Sequence, residues 1–402
     1  MLTVKPLSEA ISIARAHFGA LRTAPEVVPL EQALHRSLAE EICATEFIPG
    51  FDRSTVDGYA VKSTDVFGCS EAIPALLMLV GEVEMGQHAD FSIAPGQCAS
   101  VPTGGEVPAG ADTMVMVEHT EDLGGGQIAI YKPSAPGANM IMRGEDTRPG
   151  QVMLPAGRRI NAADSGTLAA LGITTVPVMR APRVAIISTG DELVPTGEKP
   201  GAGQIRDVNA PMLYNAVREA GGNPDCLGII RDHEEDITMA VKAAVAEYDM
   251  LILSGGTSVG EKDAMPRVIS KLGSMLVHGI AIKPGKPTLF GEIEGKPVFG
   301  LPGNPVAAFF IFYHLVRPIL FSMQGATVTD RHVTLPVSRS VPSNHGREEI
   351  VPVMIRDGQV EPVPSRSGLI TTLACTDGFI RIPRELEGLK QGDLVEVTLF
   401  SR

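Results

Sequence analysis

Residues 249–260 read D-M-L-I-L-S-G-G-T-S-V-G and run directly into Glu261, Lys262 and Asp263. The apolar run has the length of a buried strand, and Ser254, Gly255 and Gly256 end it where backbone can approach a ligand closely. Met265, Val268, Ile269 and Leu272 follow at helical spacing. The loop holding Thr257, Ser258 and Gly260 therefore opens onto a helix N-terminus. Free N–H groups and the positive end of the helix dipole make such a place an anion site. Asp263 sets a carboxylate at its edge, where a phosphate alone would repel it. Loop and acid together point to a phosphate with a hard metal ion between them.

Three further segments carry chemistry. Arg231-Asp232-His233-Glu234-Glu235 reads as a capping box, with Asp232 as N-cap and Glu235 three residues on;. Because Asp232 follows an apolar strand, it can also face the crevice of Asp263. Ile282-Lys283-Pro284-Gly285-Lys286-Pro287 presents two lysines on a segment stiffened by proline, suited to an oxyanion;. In Leu301-Pro302-Gly303-Asn304-Pro305, Asn304 can cap the next helix with Pro305 at its first position, aiming free amides the same way;. Asp57-Gly58 and Thr103-Gly104-Gly105 read equally as turns or as parts of a site;.

These segments need elements to position them. Residues 7–21 and 30–42 have helical spacing. Two helices alone make a thin core, so this region is expected to pack elsewhere, as on a second chain. Residues 75–80, 97–101, 113–118 and 127–131 read as strands, with Gly124-Gly125-Gly126 at a hairpin tip, and residues 161–171 read as a helix. From residue 183 strands and helices alternate: 184–188, 208–220, 227–230, 237–247, 250–254, 264–272, 297–300 and 306–323. That rhythm predicts a doubly wound, mostly parallel sheet with ligands at the carboxyl ends of its strands. Residues 332–338, 349–355, 379–382 and 394–400 predict a small β domain at the end.

The formal charge of −13 argues against nucleic acid or an acidic membrane as partner;. Cys43, Cys69, Cys98, Cys226 and Cys375 are scattered, without C-x-x-C spacing, so zinc, disulfide and redox-pair readings lose support;. Residues 306–313, the longest apolar run, are too short for a bilayer. With no visible secretory signal, a cytoplasmic location is expected.

Taken together, the segments resemble the molybdopterin molybdenumtransferase family, MoeA, shared with the C-terminal part of gephyrin. Asp57-Gly58-Tyr59-Ala60-Val61, Pro102-Thr103-Gly104, Gly144-Glu145-Asp146, Ser188-Thr189-Gly190-Asp191-Glu192, residues 254–263, 282–287 and 300–305 carry the likeness in the family's order. The resemblance implies four domains: 1–46 with 138–180, elongated and dimerising; 47–137, β-rich and inserted; 181–326, α/β and molybdopterin-binding; 327–402, a barrel-like β domain. It implies a homodimer that transfers molybdenum from molybdate to adenylated molybdopterin, releasing AMP with Mg²⁺ present.

By family position, Asp263, Asp232 and Glu192 look like the acids around metal and pyrophosphate. Asp57, Thr103 and Asp146 look like contributions from other domains. Lys283 and Lys286 look like the cationic side of the oxyanion site, Ser367 like a serine of the last domain, and Arg347 like a further cation. Gly279 and Pro352 stand where some members carry a lysine and an arginine. A molybdopterin adenylyltransferase would need only residues 183–323, and a gephyrin-like scaffold would need none of the acids. An adenylyltransferase is also an expected partner, and the choice between molybdate and tungstate stays open.

Overall fold

Strands that read as continuous apolar runs must be covered on both faces. β1 (Arg183–Thr189) and β3 (Met250–Ser254) are buried along nearly their whole length. The computed structural model describes residues 4–255, 264–343, 346–363 and 367–400. In it, β1 and β3 lie at the centre of a six-stranded sheet. The other strands are β2 (Asn223–Ile230), β4 (Ser274–His278), β5 (Leu289–Ile293) and β6 (Lys296–Leu301). Their spatial order is β2-β1-β3-β6-β5-β4. The first four are parallel, and β5 and β4 add an antiparallel edge. These last two strands escape the sequence pattern because β5 and β6 form a hairpin and need no crossover helix.

One face of the sheet carries α3 (Glu234–Glu247) and α4 (Ala264–Leu272), packed through Val241, Val245, Val268 and Ile269. The other face carries α2 (Asn209–Glu219) and the helix Pro305–Met323, which passes through a π turn at Phe312–Val316. That helix extends well past residue 313 and reaches 19 residues, long and apolar enough to cross a bilayer by length alone. Two-thirds of its apolar window lies in the protein core. It is a core helix.

The N-terminal expectations need correction in two places. α1 (Leu7–Phe18) buries Leu7, Ala10, Ala14 and Phe18 in the same core as Phe299, Leu315 and Ile319. A thin local core therefore gives no argument for a second chain, because this helix packs on the core of the α/β sheet. The expected helix over residues 30–42 is absent. His35 has φ +64, and the N–H groups of His35, Leu38 and Ala39 donate to the carbonyls of Ile160, Arg158 and Pro177. Pairing with distant backbone outweighs a weak helical spacing, because propensity is a small term beside tertiary contacts.

The described chain divides into two units: Met1–Glu40, Ala156–Asn161 and Val176–Arg402 in one, Glu41–Pro155 and Ala162–Thr175 in the other. Within the first, the C-terminal strands β7 (Arg331–Pro336), β8 (Glu348–Arg356), β9 (Gln359–Pro362), β10 (Gly378–Ile382) and β11 (Leu394–Leu399) form a second sheet, to which the short strand Ile282–Lys283 adds beside β8. A bridge from Val337 to Val360 brings its ends together, so the sheet curls back on itself. The second unit holds a six-stranded sheet ordered Thr113–Met116, Gly58–Val61, Gln97–Val101, Ala75–Glu82, Gln127–Ile130, Thr120–Asp122.

The long helix meets the C-terminal sheet through Phe310, Tyr313, His314 and Phe379, with ring centroids 5.2–5.3 Å from Phe379. His314 Nε2 is buried without a hydrogen-bond partner among the described residues. Burial, with Arg381 and Arg317 nearby, pushes the imidazole down to about 3. A base with a depressed folded pKa contributes stability above its unfolded value near 6.5, and loses it as pH falls from there towards 3. Below pH 6 the wild type is expected to lose about 1 kcal/mol per pH unit from this group. In His314→Phe, urea midpoints measured between pH 6.5 and 4.5 should fall less steeply. Parallel curves would remove His314 as a source of acid sensitivity.

Candidate functional site

Parallel strands leave their carboxyl ends open where helices begin, and the main cavity of the first unit lies there. It has a volume of about 810 Å³ and is lined from the ends of β1 and β3 (Thr189, Ser254, Gly255), from Pro302-Gly303-Asn304-Pro305 after β6, and from Glu192. Gly368 and Ile370 of the C-terminal segment complete one side. Of the residues expected here, Ser254, Gly255, Pro302, Pro305 and Glu192 line this one cavity. Gly256, Thr257, Ser258, Gly260 and Asp263 lie outside the described residues.

Gly255 is in the left-handed region at φ +99, and a Cβ there would stand 2.1 Å from the Thr189 carbonyl oxygen. The glycine is thus required by close approach of two strand ends. Asn304 occupies the N-cap position of the long helix but makes no side-chain capping bond. Instead its Nδ2 donates to Ser367 Oγ at 3.0 Å, while Val306 N–H donates to the Ser367 carbonyl. Ser367 therefore ties the last domain to the mouth of the cavity.

Asp232 does not cap a helix. The N-cap of α3 is His233, without a side-chain bond, and Asp232 Oδ1 is buried with no donor among the described residues. Burial raises its pKa, and the neighbouring Asp191 and Glu192 raise it further. A partly buried carboxylate pressed by like charges is what a hard divalent ion relieves. Among the described residues no three such groups converge on one point.

The lysines are placed differently from the cavity wall. Lys283 pairs with Glu349 at 2.8 Å, in register with β8, and Ser343 Oγ donates to the other Glu349 oxygen. Lys286 is half-buried next to Pro287, which does line the cavity. Arg347 is exposed. Among the described lining residues Arg206 is the one cation, its Nε donating to the Thr196 carbonyl. Arg206, Asp207 and Asn209 carried no signal in the sequence because their roles come from contacts across the fold. Asp207 Oδ1 accepts from the N–H groups of Asn209 and Ala210 and so begins α2.

In the second unit, Asp57 and Thr103 come together. Gly58 is not a hairpin turn but opens a central strand, where a Cβ would meet the Val115 carbonyl oxygen at 1.9 Å. That strand holds Asp57 so that its carboxylate accepts the Thr103 N–H at 2.7 Å, a bond that lowers its pKa. Asp146 is exposed, with its own N–H on the Ile48 carbonyl.

Neither departure from the family's cations sits where a long charged side chain is readily placed. Pro352 is buried in β8. Gly279 has φ +102 and its carbonyl accepts the Lys5 N–H. Gly279→Lys is expected to cost about 1–2 kcal/mol from the left-handed backbone alone. A urea midpoint equal to wild type would show that the loop can carry the lysine without strain.

Comparison with known proteins gives three family matches in chain order. Residues 5–172 match the MoeA N-terminal region (domain I and II), 185–322 the "probable molybdopterin binding domain", and 334–400 the MoeA C-terminal region (domain IV). The chain is 34% identical over 385 residues to the molybdopterin molybdenumtransferase of Bacillus subtilis, covering 93% of this chain and 90% of that one. It is 31% identical over 382 residues to the Staphylococcus aureus protein of the same name, covering 92% and 90%. A solved molybdopterin biosynthesis MoeA protein from Pyrococcus horikoshii superposes with TM-score 0.88 at 32% identity, covering 99% and 100%. A second reaches 0.85 at 38% identity over the whole of both chains.

Proposed function

We propose, for a chain that belongs to the MoeA family of molybdopterin molybdenumtransferases, that it inserts molybdenum from molybdate into adenylated molybdopterin and releases AMP, with Mg²⁺ required. The observation that carries this reading is the cavity at the strand ends. Its wall holds buried oxygens of Thr189 and Asn209 with no partner among the described residues, and the likewise orphaned Asp232 Oδ1 follows β2. Such groups are costly unless a polar ligand or ion meets them.

The dithiolene sulfurs belong to the substrate, which is consistent with five free cysteines and no cysteine pair. Arg206, the one cation among the described lining residues, would meet the anionic part of the ligand. The donor chemistry fits Mg²⁺: Asp232, with Glu192, would hold it, and Asp263 is assigned to the same role from its sequence position. When bound, the ion neutralises phosphate charge. Asp232 positions that charge, and Ser254 and Gly255 hold the ligand against β3.

The test is incubation of the purified chain with adenylated molybdopterin, molybdate and Mg²⁺, following AMP release and cofactor formation. Absence of AMP release under these conditions would sink the proposal. A homodimer in the cytoplasm, working with a molybdopterin adenylyltransferase, belongs to the same proposal and rests on the family likeness. Sedimentation of an active monomer at micromolar concentration would contradict the dimer.

A further inference from the structure

Asn209 stands at the first turn of α2, 6% exposed, and its amide is only half used. Nδ2 donates to Ser254 Oγ at 2.7 Å and to the Gly303 carbonyl at 2.9 Å. One side chain thus ties the end of β3 to the loop after β6, segments 45 and 94 residues away along the chain. Oδ1 is buried and has no donor among the described residues. Beside Gly255, Thr189 is 1% exposed and its Oγ1 is likewise unpartnered among the described residues. A Cβ on Gly255 would lie 3.1 Å from that oxygen, so the hydroxyl flanks the same dipeptide. Both residues line the 810 Å³ cavity.

The amide orientation follows from its bonds. Ser254 Oγ could accept or donate, but the Gly303 carbonyl can only accept, so the nitrogen must face it. That leaves Oδ1 as an acceptor without a donor, and Thr189 Oγ1 beside the same dipeptide as a group able to accept or donate. Leaving such atoms unmet in a buried wall is unfavourable, and a ligand N–H that reaches them satisfies them.

We propose that Asn209, assisted by Thr189, reads an exocyclic amine on the fused nitrogen heterocycle of the substrate and selects against ring systems that carry a carbonyl in its place. This rests on the assignment of the cavity to a molybdopterin substrate. A pterin and an adenine both carry such an amine, and both occur in adenylated molybdopterin. A carbonyl oxygen facing Oδ1 would set two acceptors against each other and lose the bond, a kind of mismatch that gives strong discrimination.

The test measures calorimetric affinities of the full chain for two matched pairs. Pterin is compared with lumazine, its 2-oxo analogue, and AMP with inosine monophosphate. Wild type is expected to prefer the amine in one pair by about tenfold or more, and that pair identifies the ring. In Asn209→Ala the preference should collapse towards unity. Asn209→Asp loses the donors to Ser254 and Gly303 but keeps an acceptor, so it should retain the preference even if overall affinity falls. Thr189→Val, which removes only the hydroxyl, should reduce it.

A role confined to tying the two loops predicts a different pattern. Asn209→Ala and Asn209→Asp would then weaken both members of each pair equally, with the ratio unchanged. That result overturns the proposal. So does a wild type that binds these probes without discriminating within either pair. A wild type that binds none of the four overturns the assignment of the cavity, and the proposal with it.

Discussion

Asp232→Asn is expected to lower turnover by about 10²–10³, the range seen when one preorganised electrostatic contact is removed, without lowering the melting temperature. The two halves come from one observation. The Asp232 carboxylate is partly buried, has an orphaned oxygen, and is pressed by Asp191 and Glu192, so its pKa is raised. An acid with a raised folded pKa is a burden above that value, and the burden is relieved as pH falls through it towards 3.8. Asparagine removes the charge and keeps the shape. At neutral pH the variant should be equal to wild type or more stable by a few tenths of a kcal/mol, since solvent screens so much of the interaction. Mg²⁺ should raise the melting temperature of wild type and leave the variant's unchanged. A variant with full activity would return Asp232 to a purely structural role. One with lost stability would mean that its second oxygen supports the fold after all.

Gly255→Ala is the second large effect. The added methyl meets the Thr189 carbonyl oxygen at 2.1 Å on backbone at φ +99. Left-handed strain of about 1–2 kcal/mol and overpacking of about 1–3 kcal/mol together predict a loss of roughly 2–5 kcal/mol. For a domain of 150–250 residues each kcal/mol lowers Tm by about 2–4 °C. The neighbouring Gly303 is the control. Its added Cβ would find only the Gly255 Cα, at 3.7 Å, so Gly303→Ala should change Tm little. If the two variants melt alike, close approach at Gly255 is not what fixes that glycine.

The parallel sheet was readable because β1, β3 and β6 announce themselves as short apolar runs with glycine or serine at their ends. Ser254, Gly255, Pro302 and Pro305 could be placed for the same reason, since local punctuation marks where a strand stops. Asp57 and Thr103 were named separately and are joined by a hydrogen bond in the structure. What could not be read was anything decided by distant partners. Helical spacing in residues 30–42 gave way to pairing with residues 158–160 and 177. Asp232 followed by Glu235 has the form of a capping box, yet its buried Oδ1 accepts no bond from the helix end. The two lysines read as a pair presented to an oxyanion, and the pairing of Lys283 with Glu349 of β8 left no trace in the local sequence. Asn209 has no sequence signature at all, because both of its acceptors lie in other segments.

α1 packs on Phe299 and the long helix, and Thr23 donates to the Met323 carbonyl across 300 positions of the chain. The first helix is therefore made long before the surface it covers. At roughly 5–20 residues per second of synthesis, about 15–60 s pass between emergence of the two. During that interval Leu7, Ala10, Ala14 and Phe18 have no native partner, and a ribosome-bound chain exposes them as an apolar stripe. The core of the α/β unit can therefore close only after Met323 has emerged, and until then that stripe is a surface a holdase can cover;.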